Sequence, residues 1–183
     1  MEIHVYDRNL KRLGHIENHT SLQWHRKYYE CGTFELHCPV TTENLRLLQP
    51  GNIITKGDNK VEAAVIRGDQ TEEESTLANE ITRNGYFLPV YLGDRLTGPL
   101  FNFNGTVEAA MCYMINRMEE IPLLQIGTMT GDATKVQFQA TYKNVLEYLT
   151  KLAKFAEIGF RVVPDFKKKT MTFETYKLSL IHI

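Results

Sequence analysis

Four groups of side chains in this sequence are of types that can do chemistry. Histidine and cysteine concentrate near the N-terminus, at His4, His15, His19, His25, Cys31, His37 and Cys38. Zinc needs about four nitrogen or sulfur ligands in a tetrahedron, and short regular spacings build such a site most easily. His15 and His19 would converge on a helix, but their segment reads as a strand end and a turn, where they would not face together. His37 and Cys38 are adjacent, and adjacent residues of a strand point to opposite faces. The cysteines Cys31, Cys38 and Cys112 are odd in number and contain no CxxC pair, against both a disulfide framework and a zinc ribbon. No metal ligand is expected among these residues. Nucleophilic catalysis fares no better, since G-x-S-x-G, Walker A and H-E-x-x-H patterns are missing. Cys112 sits beside Met111 on the mostly apolar side of an expected helix, where a thiol is packed and inert. The acids at Glu72 to Glu74 and Glu119-Glu120 are neighbours on exposed segments, whereas catalytic carboxylates face each other across a cleft about 5 to 10 Å wide.

The fourth group is aromatic. Trp24, Tyr28 and Tyr29 interleave with His25, Arg26 and Lys27, a mixture that stacks on single-stranded nucleic acid or anchors protein interfaces. The formal net charge of -1 gives no general attraction to polyanions. The one basic run, Lys167 to Lys169, reads as a solvated hairpin tip. A protein interface at Trp24, Tyr28 and Tyr29 is therefore the expected binding feature, with no catalytic residue, cofactor or nucleic acid.

These residues have to be positioned by strands first and helices later. Ile3 and Val5 share one face of a strand, Asp7-Arg8-Asn9 supplies turn chemistry, and a second strand from about Leu10 to Glu17 completes a hairpin. A strand is expected from Ser21 to Tyr29, then another through Phe34, Leu36 and Cys38 to Pro39. Thr42-Glu43-Asn44 can cap a short turn of helix over Leu45 to Gln49, ended by Pro50-Gly51. Strands over Asn52 to Lys56 and Val61 to Ile66 flank Gly57-Asp58-Asn59. Gly68 to Asn84 reads as a polar loop leading into an exposed strand. Tyr86 to Leu92 is rich in β-formers, and Pro89 confines it to an edge or a bulge.

Two helices have clear periodicity. Thr106 can cap one carrying Val107, Ala110, Met111, Met114, Ile115 and Met118 on a face. The other runs from about Tyr142 to Ile158, with Val145, Leu146, Leu149, Leu152 and Phe155 on one face and Gly159 as its C-terminal cap. Lys135 to Ala140 lies between them as a strand. Phe160 to Val163 and Thr170 to Tyr176 form a closing hairpin around Pro164-Asp165. The class is α+β: a barrel or sandwich of antiparallel strands, then two helices on a small sheet.

The 183 residues, 43% hydrophobic and 23% charged, have the composition of a folded chain of one or two domains. No apolar stretch approaches the roughly 20 residues of a membrane helix. Glu2, His4, Asp7 and Arg8 after Met1 do not form the basic and apolar regions of a signal peptide, so synthesis and retention in a cytoplasm are expected.

Particular strings carry a family resemblance. Tyr6-Asp7-Arg8-Asn9, Leu22-Gln23-Trp24, Tyr29-Glu30-Cys31-Gly32-Thr33-Phe34-Glu35-Leu36-His37-Cys38-Pro39 and Leu47-Leu48-Gln49-Pro50-Gly51-Asn52-Ile53-Ile54 resemble the opening of siphophage tail proteins of the gene-product-thirty-seven-like family. Ile121-Pro122-Leu123-Leu124-Gln125 and Ile158-Gly159-Phe160-Arg161-Val162 extend the likeness to Lys177, and Gly68 to Asn84 matches least. The resemblance implies a hub-like structural protein at the virion tail tip, assembled in the host cytoplasm and carrying a tube-like β-barrel domain. It implies self-association into a ring, a trimer, and contact with distal-tail and tape-measure proteins. Apart from the resemblance, strand-dominated sequence gives way to the helical segment near Gly98, so a mainly β domain over 1–97 and an α+β domain over 98–177 are expected, or one domain with an insertion. Residues 178–183, Leu-Ser-Leu-Ile-His-Ile, look like translated sequencing adapter, which would place the natural gene's continuation beyond Lys177. Two rival readings are the scaffold of a tail-associated cell-wall hydrolase and a single-stranded nucleic-acid-binding barrel.

Overall fold

The computed structural model describes residues 1–59, 61–70 and 80–178. The acidic run Glu72 to Glu74 and residues 179–183 lie outside them. The chain divides into two compact units, one of Met1–Arg26, Gly32–Leu88 and Val163–Thr170, the other of Lys27–Cys31, Pro89–Val162 and the residues from Met171 onward.

The first unit is built on one antiparallel sheet. Its strands are β1 (Ile3–Tyr6), β2 (Arg12–Ile16), β3 (Ser21–His25), β4 (Thr33–Pro39), β5 (Ile53–Lys56), β6 (Ala64–Gln70) and β7 (Glu80–Phe87). They lie in the order β2-β1-β5-β6-β7-β4-β3. Among the described residues the sheet is open, with β2 and β3 as its two ends, so the barrel expected from sequence is not closed. Alternation in β4 buries Phe34, Leu36 and Cys38 on one face, where they meet Ile3, Val5, Ile54, Ala64 and Ile66 from neighbouring strands. Leu47 and Leu48, from and just after the helix α1 (Thr42–Leu47), complete that core.

The turns explain where elements begin. Asp7 Oδ1 accepts from the amides of Asn9 at 2.9 Å and Lys11 at 2.8 Å, which closes the first hairpin. Leu10 takes a φ of 61° inside that turn with its side chain fully buried, so β2 starts at Arg12 and not at Leu10. Thr41 caps α1 by accepting from Asn44 N at 3.0 Å, which starts the helix three residues earlier than its apolar pattern suggests. Pro89 does not interrupt a strand over Tyr86 to Leu92. It ends β7 and stands at the N-terminus of the short helix α2 (Val90–Gly93), where its missing N–H costs nothing.

In the second unit, β8 (Asn102–Thr106) pairs with β10 (Lys135–Gln139), setting Phe103 opposite Phe138, Asn104 opposite Gln137 and Asn102 opposite Gln139. Phe103 and Phe101 lie 5.4 and 5.1 Å from the Tyr113 ring of α3 (Val107–Arg117), while the amide side chains face outward. A second sheet has the order β11 (Gly159–Asp165), β12 (Thr170–Tyr176), β9 (Leu124–Ile126), with β12 and β9 parallel. Pro164-Asp165 therefore lie in a strand, and the turn is Phe166 to Lys169.

Helix α4 (Val145–Ala156) buries Val145, Leu149, Leu152, Ala153 and Ala156. It starts at Val145 and not at about Tyr142, because Asn144 caps it, accepting from Glu147 N at 3.1 Å. Phe155 is exposed, not buried, since it sits about 120° around the helix from Leu149 at the middle of the buried stripe. The left-handed C-terminal cap is Glu157, with a φ of 54°, and not Gly159. Gly159 instead opens β11, where a Cβ would lie 2.6 Å from the Tyr28 ring and 2.7 Å from that of Tyr176.

Gly85 marks the tightest backbone approach in the large sheet, because a Cβ there would stand 2.0 Å from the Val65 carbonyl oxygen. The neighbour is backbone, and it cannot rotate away. Gly85→Ala is expected to cost at least about 2 kcal/mol, measured as a lowered denaturant midpoint against wild type, while Gly131→Ala, whose Cβ meets nothing within 4 Å but whose φ is 81°, is expected to lose about 1 kcal/mol.

Candidate functional site

The expected interface residues fall in two places. Trp24 is on β3, half-buried, with its ring 4.7 Å from Phe87 and 6.1 Å from Phe34 and packed on the core of the first unit. Its indole Nε1 donates to Glu62 Oε2 at 3.1 Å, and Arg26 Nε reaches Glu62 Oε1 at 2.6 Å. The strand ends at His25, so Tyr28 and Tyr29 lie beyond it, in the second unit. Tyr28 is committed to that unit's fold. Its hydroxyl donates toward the carbonyls of Tyr176 at 3.2 Å and Glu157 at 3.4 Å and accepts from Leu178 N, and its ring covers Gly159. Tyr29 packs its ring against Tyr28, at 4.7 Å, and is half-buried. Beside them Glu30 joins Lys27 at 3.3 Å and Lys154 at 2.5 Å, and these cations hold its carboxyl below the usual range.

The free edges of the large sheet are β2 and β3. In β3, Ser21, Gln23 and His25 are exposed, and among the described residues β3 pairs with β4 alone. In β2, Arg12 and His15 are exposed. Each edge presents backbone groups that another strand can complete; each carries one exposed histidine, but β2 adds the cation Arg12 where β3 adds the neutral Ser21 and Gln23.

The histidines and cysteines are dispersed by the fold. Cys38 is buried, and burial pushes its thiol up to about 12. Burial also raises the Cys112 thiol. Both thiols are protonated at neutral pH and are poor nucleophiles. His37 sits beside Glu35 at 2.9 Å. Glu119 and Glu120 are exposed, with their backbone carbonyls taken by Arg95 at 3.2 and 3.4 Å. One cluster has the opposite character. The hairpin β1–β2 sets His4 across from His15 and draws Glu2, His15 and Glu17 together. Counting pairs outward from the Asp7 turn would have found it, whereas spacing along the chain does not.

A second arrangement invisible in the sequence is the carboxylate of Glu108, buried at 5% exposure in the first turn of α3. It accepts from Thr130 N at 2.7 Å, Thr130 Oγ1 at 2.8 Å, Gly131 N at 2.8 Å, Asp132 N at 2.9 Å and the Thr175 hydroxyl. Burial raises its pKa, and the bonds from Thr175, Thr130 and Asp132 outweigh burial, so it ends below the ordinary value. The same loop carries Asp132, held down to about 2 by Lys177 at 2.6 Å. This carboxylate is a structural anion that folds the loop around itself.

Mostly antiparallel sheets with a few helices make a fold that this chain shares with phage tail proteins. The prophage tail protein gp18 of Listeria monocytogenes EGD-e superposes with a TM-score of 0.64 at 13% identity, over 95% of this chain and 50% of that one. The tail protein of Neisseria meningitidis MC58 gives 0.59 at 16% identity, over 93% and 50%. The E. coli c3393 protein, a type VI secretion component described as similar to the T4 tail proteins gp27 and gp5, gives 0.56 at 12% identity, over 88% and 46%. The chain spans about half the length of these structures. It belongs to the Siphovirus ReqiPepy6 Gp37-like protein family, whose model matches residues 2–179. No curated protein sequence matches it.

Glu108 yields a prediction with a defined sign. A carboxyl whose folded pKa lies below its unfolded value stabilises the fold above the unfolded pKa and loses that contribution as pH falls through the folded one. Thermal midpoints should therefore fall on acidification below the ordinary glutamate range. Glu108→Gln should lose about 2 kcal/mol at neutral pH and show a shallower acid decline; an unchanged acid profile would assign the decline to other carboxylates.

Proposed function

We propose that this chain is a structural, non-enzymatic component of a phage tail, the hub-like piece at the tail tip that joins the tail tube to the distal apparatus. Family membership and the tail-protein fold support a tail component. The observation that carries the hub reading is the open seven-stranded sheet with two dissimilar free edges. A cyclic ring uses a heterologous interface, in which one edge of a protomer meets a different edge of its neighbour. Strand β2 of one copy completing β3 of the next satisfies both rows of backbone groups. A trimer fits the reading inherited from the family resemblance, with distal-tail and tape-measure proteins as further partners. Trp24 lends its half-exposed ring to the β3 edge. Tyr29 is the member of the tyrosine pair whose removal leaves the second unit's hydrogen bonds in place, so it, and not Tyr28, is the one to probe.

The full-length natural protein is expected to sediment as a closed ring in the presence of its tail neighbours. Ser21→Lys with Gln23→Lys places charge on the β3 edge at exposed positions and should raise the dissociation constant about tenfold or more, with an unchanged unfolding midpoint. Wild type that stays monomeric at every concentration, neighbours included, would sink the hub reading. Rings of unaltered strength in the lysine variant would move the interface away from β3. Tyr29→Ala serves as the parallel probe of the aromatic surface.

A further inference from the structure

We propose that Glu2, His15 and Glu17 form a binding site for a divalent first-row metal ion of the zinc type, with His4 as a positioning residue behind Glu2. The strand register creates it. His4 stands across from His15 and Ile3 from Ile16, and alternation puts Glu2 and His4 on the same face as His15 and Glu17. One ligand atom from each of Glu2, His15 and Glu17 lies within 4.8 Å of the others. His15 Nε2 is 3.4 Å from Glu17 Oε1, and His15 Nδ1 is 3.7 Å from Glu2 Oε1. A tetrahedral zinc with bonds near 2.0–2.1 Å holds its ligands roughly 3.3 Å apart. One ion takes one ring nitrogen of His15, so the three ligand atoms have to close from as much as 4.8 Å to roughly 3.3 Å by side-chain rotation, with water completing the shell.

The outer partners favour the same use. His4 is a buried side chain, 4% exposed, whose Nε2 lies 3.3 Å from Glu2 Oε1 and whose Nδ1 faces Asp58 at 3.6 Å. A buried imidazole beside Glu2 limits where that carboxylate can turn, which is how outer partners sharpen metal sites. An imidazole with two carboxylates suits zinc, cobalt or nickel. Calcium and magnesium take mostly oxygen, at higher coordination number. Arg12 Nη2, 3.5 Å from Glu2 Oε1 and half-exposed, must swing away as the ion enters. That competition sets the expected affinity in the micromolar range and not lower. The site rests on side chains of one chain and does not require the hub reading, although His15 lies on the β2 edge that reading uses.

Zinc chloride titrated into the full chain at neutral pH, with the half-buried Cys31 and Cys112 alkylated so that accessible thiols do not compete, is expected to give one saturable site per chain by calorimetry. Cobalt should give a visible spectrum of the same stoichiometry. Glu17→Gln and His15→Gln lie at exposed positions and leave the core untouched. Each should weaken binding at least about tenfold, with the metal-free unfolding midpoint unchanged, and His4→Gln should weaken it less. No saturable binding, or equal affinity in Glu17→Gln and His15→Gln, would overturn the site.

Discussion

Strand β7 must satisfy hydrogen bonds on both of its edges while a neighbour's carbonyl occupies the space where a side chain would stand. Its ladders run to β6 on one side and β4 on the other, and these two pairings join the two halves of the large sheet. Gly85 lets the backbones close, and the register shift between Ile66 and Gly68 on β6 falls opposite it. Next to it the buried guanidinium of Arg83 donates to the Leu48 carbonyl at 2.9 Å, fixing the segment after α1 over the same strand. Remove this centre and β1, β2 and β5 have no route to β3 and β4. The free edges that an assembly would use exist because the middle of the sheet is complete.

Much of this was legible from local signals. The Asp7 turn, the alternation of Phe34, Leu36 and Cys38, and the Thr106 cap each rest on interactions between residues near in sequence, and each appears where the pattern puts it. The misses share a cause. Leu10, Pro89, Tyr142 and Glu157 sit where an element ends, and there one backbone angle, set by tertiary packing, outweighs propensity. Gly159 looked like a helix cap because glycine usually is one; it is glycine because two tyrosine rings leave no room for a side chain. Barrel closure was not legible at all, since it depends on whether the first and last strands of the sheet meet.

The sites divide in the same way. Trp24 and Tyr28 were recognised by type, but their partners, Glu62 and Tyr176, are far along the chain and define what each ring does. Glu108 carries no motif, because its ligands are backbone amides of a loop more than twenty residues away. Clusters across a hairpin, such as Glu2 with His15 and Glu17, are recoverable once the turn is placed, because register then follows by counting.

The first unit is discontinuous, and that orders events during synthesis. Its segment Val163–Thr170 brings Phe166 onto Tyr6, ring centroids 3.8 Å apart, and the Lys169 ammonium onto the Leu10 carbonyl at 2.5 Å. These residues leave the ribosome about 80 positions after Leu88, which at ordinary elongation is roughly 4 to 16 s later. During that interval Tyr6 and the first turn lie bare, and the nascent sheet has both edges open beside other nascent chains on the same message. A ribosome-side chaperone or a slow codon stretch after Leu88 would therefore act on the yield of tail protein through this one late-arriving turn.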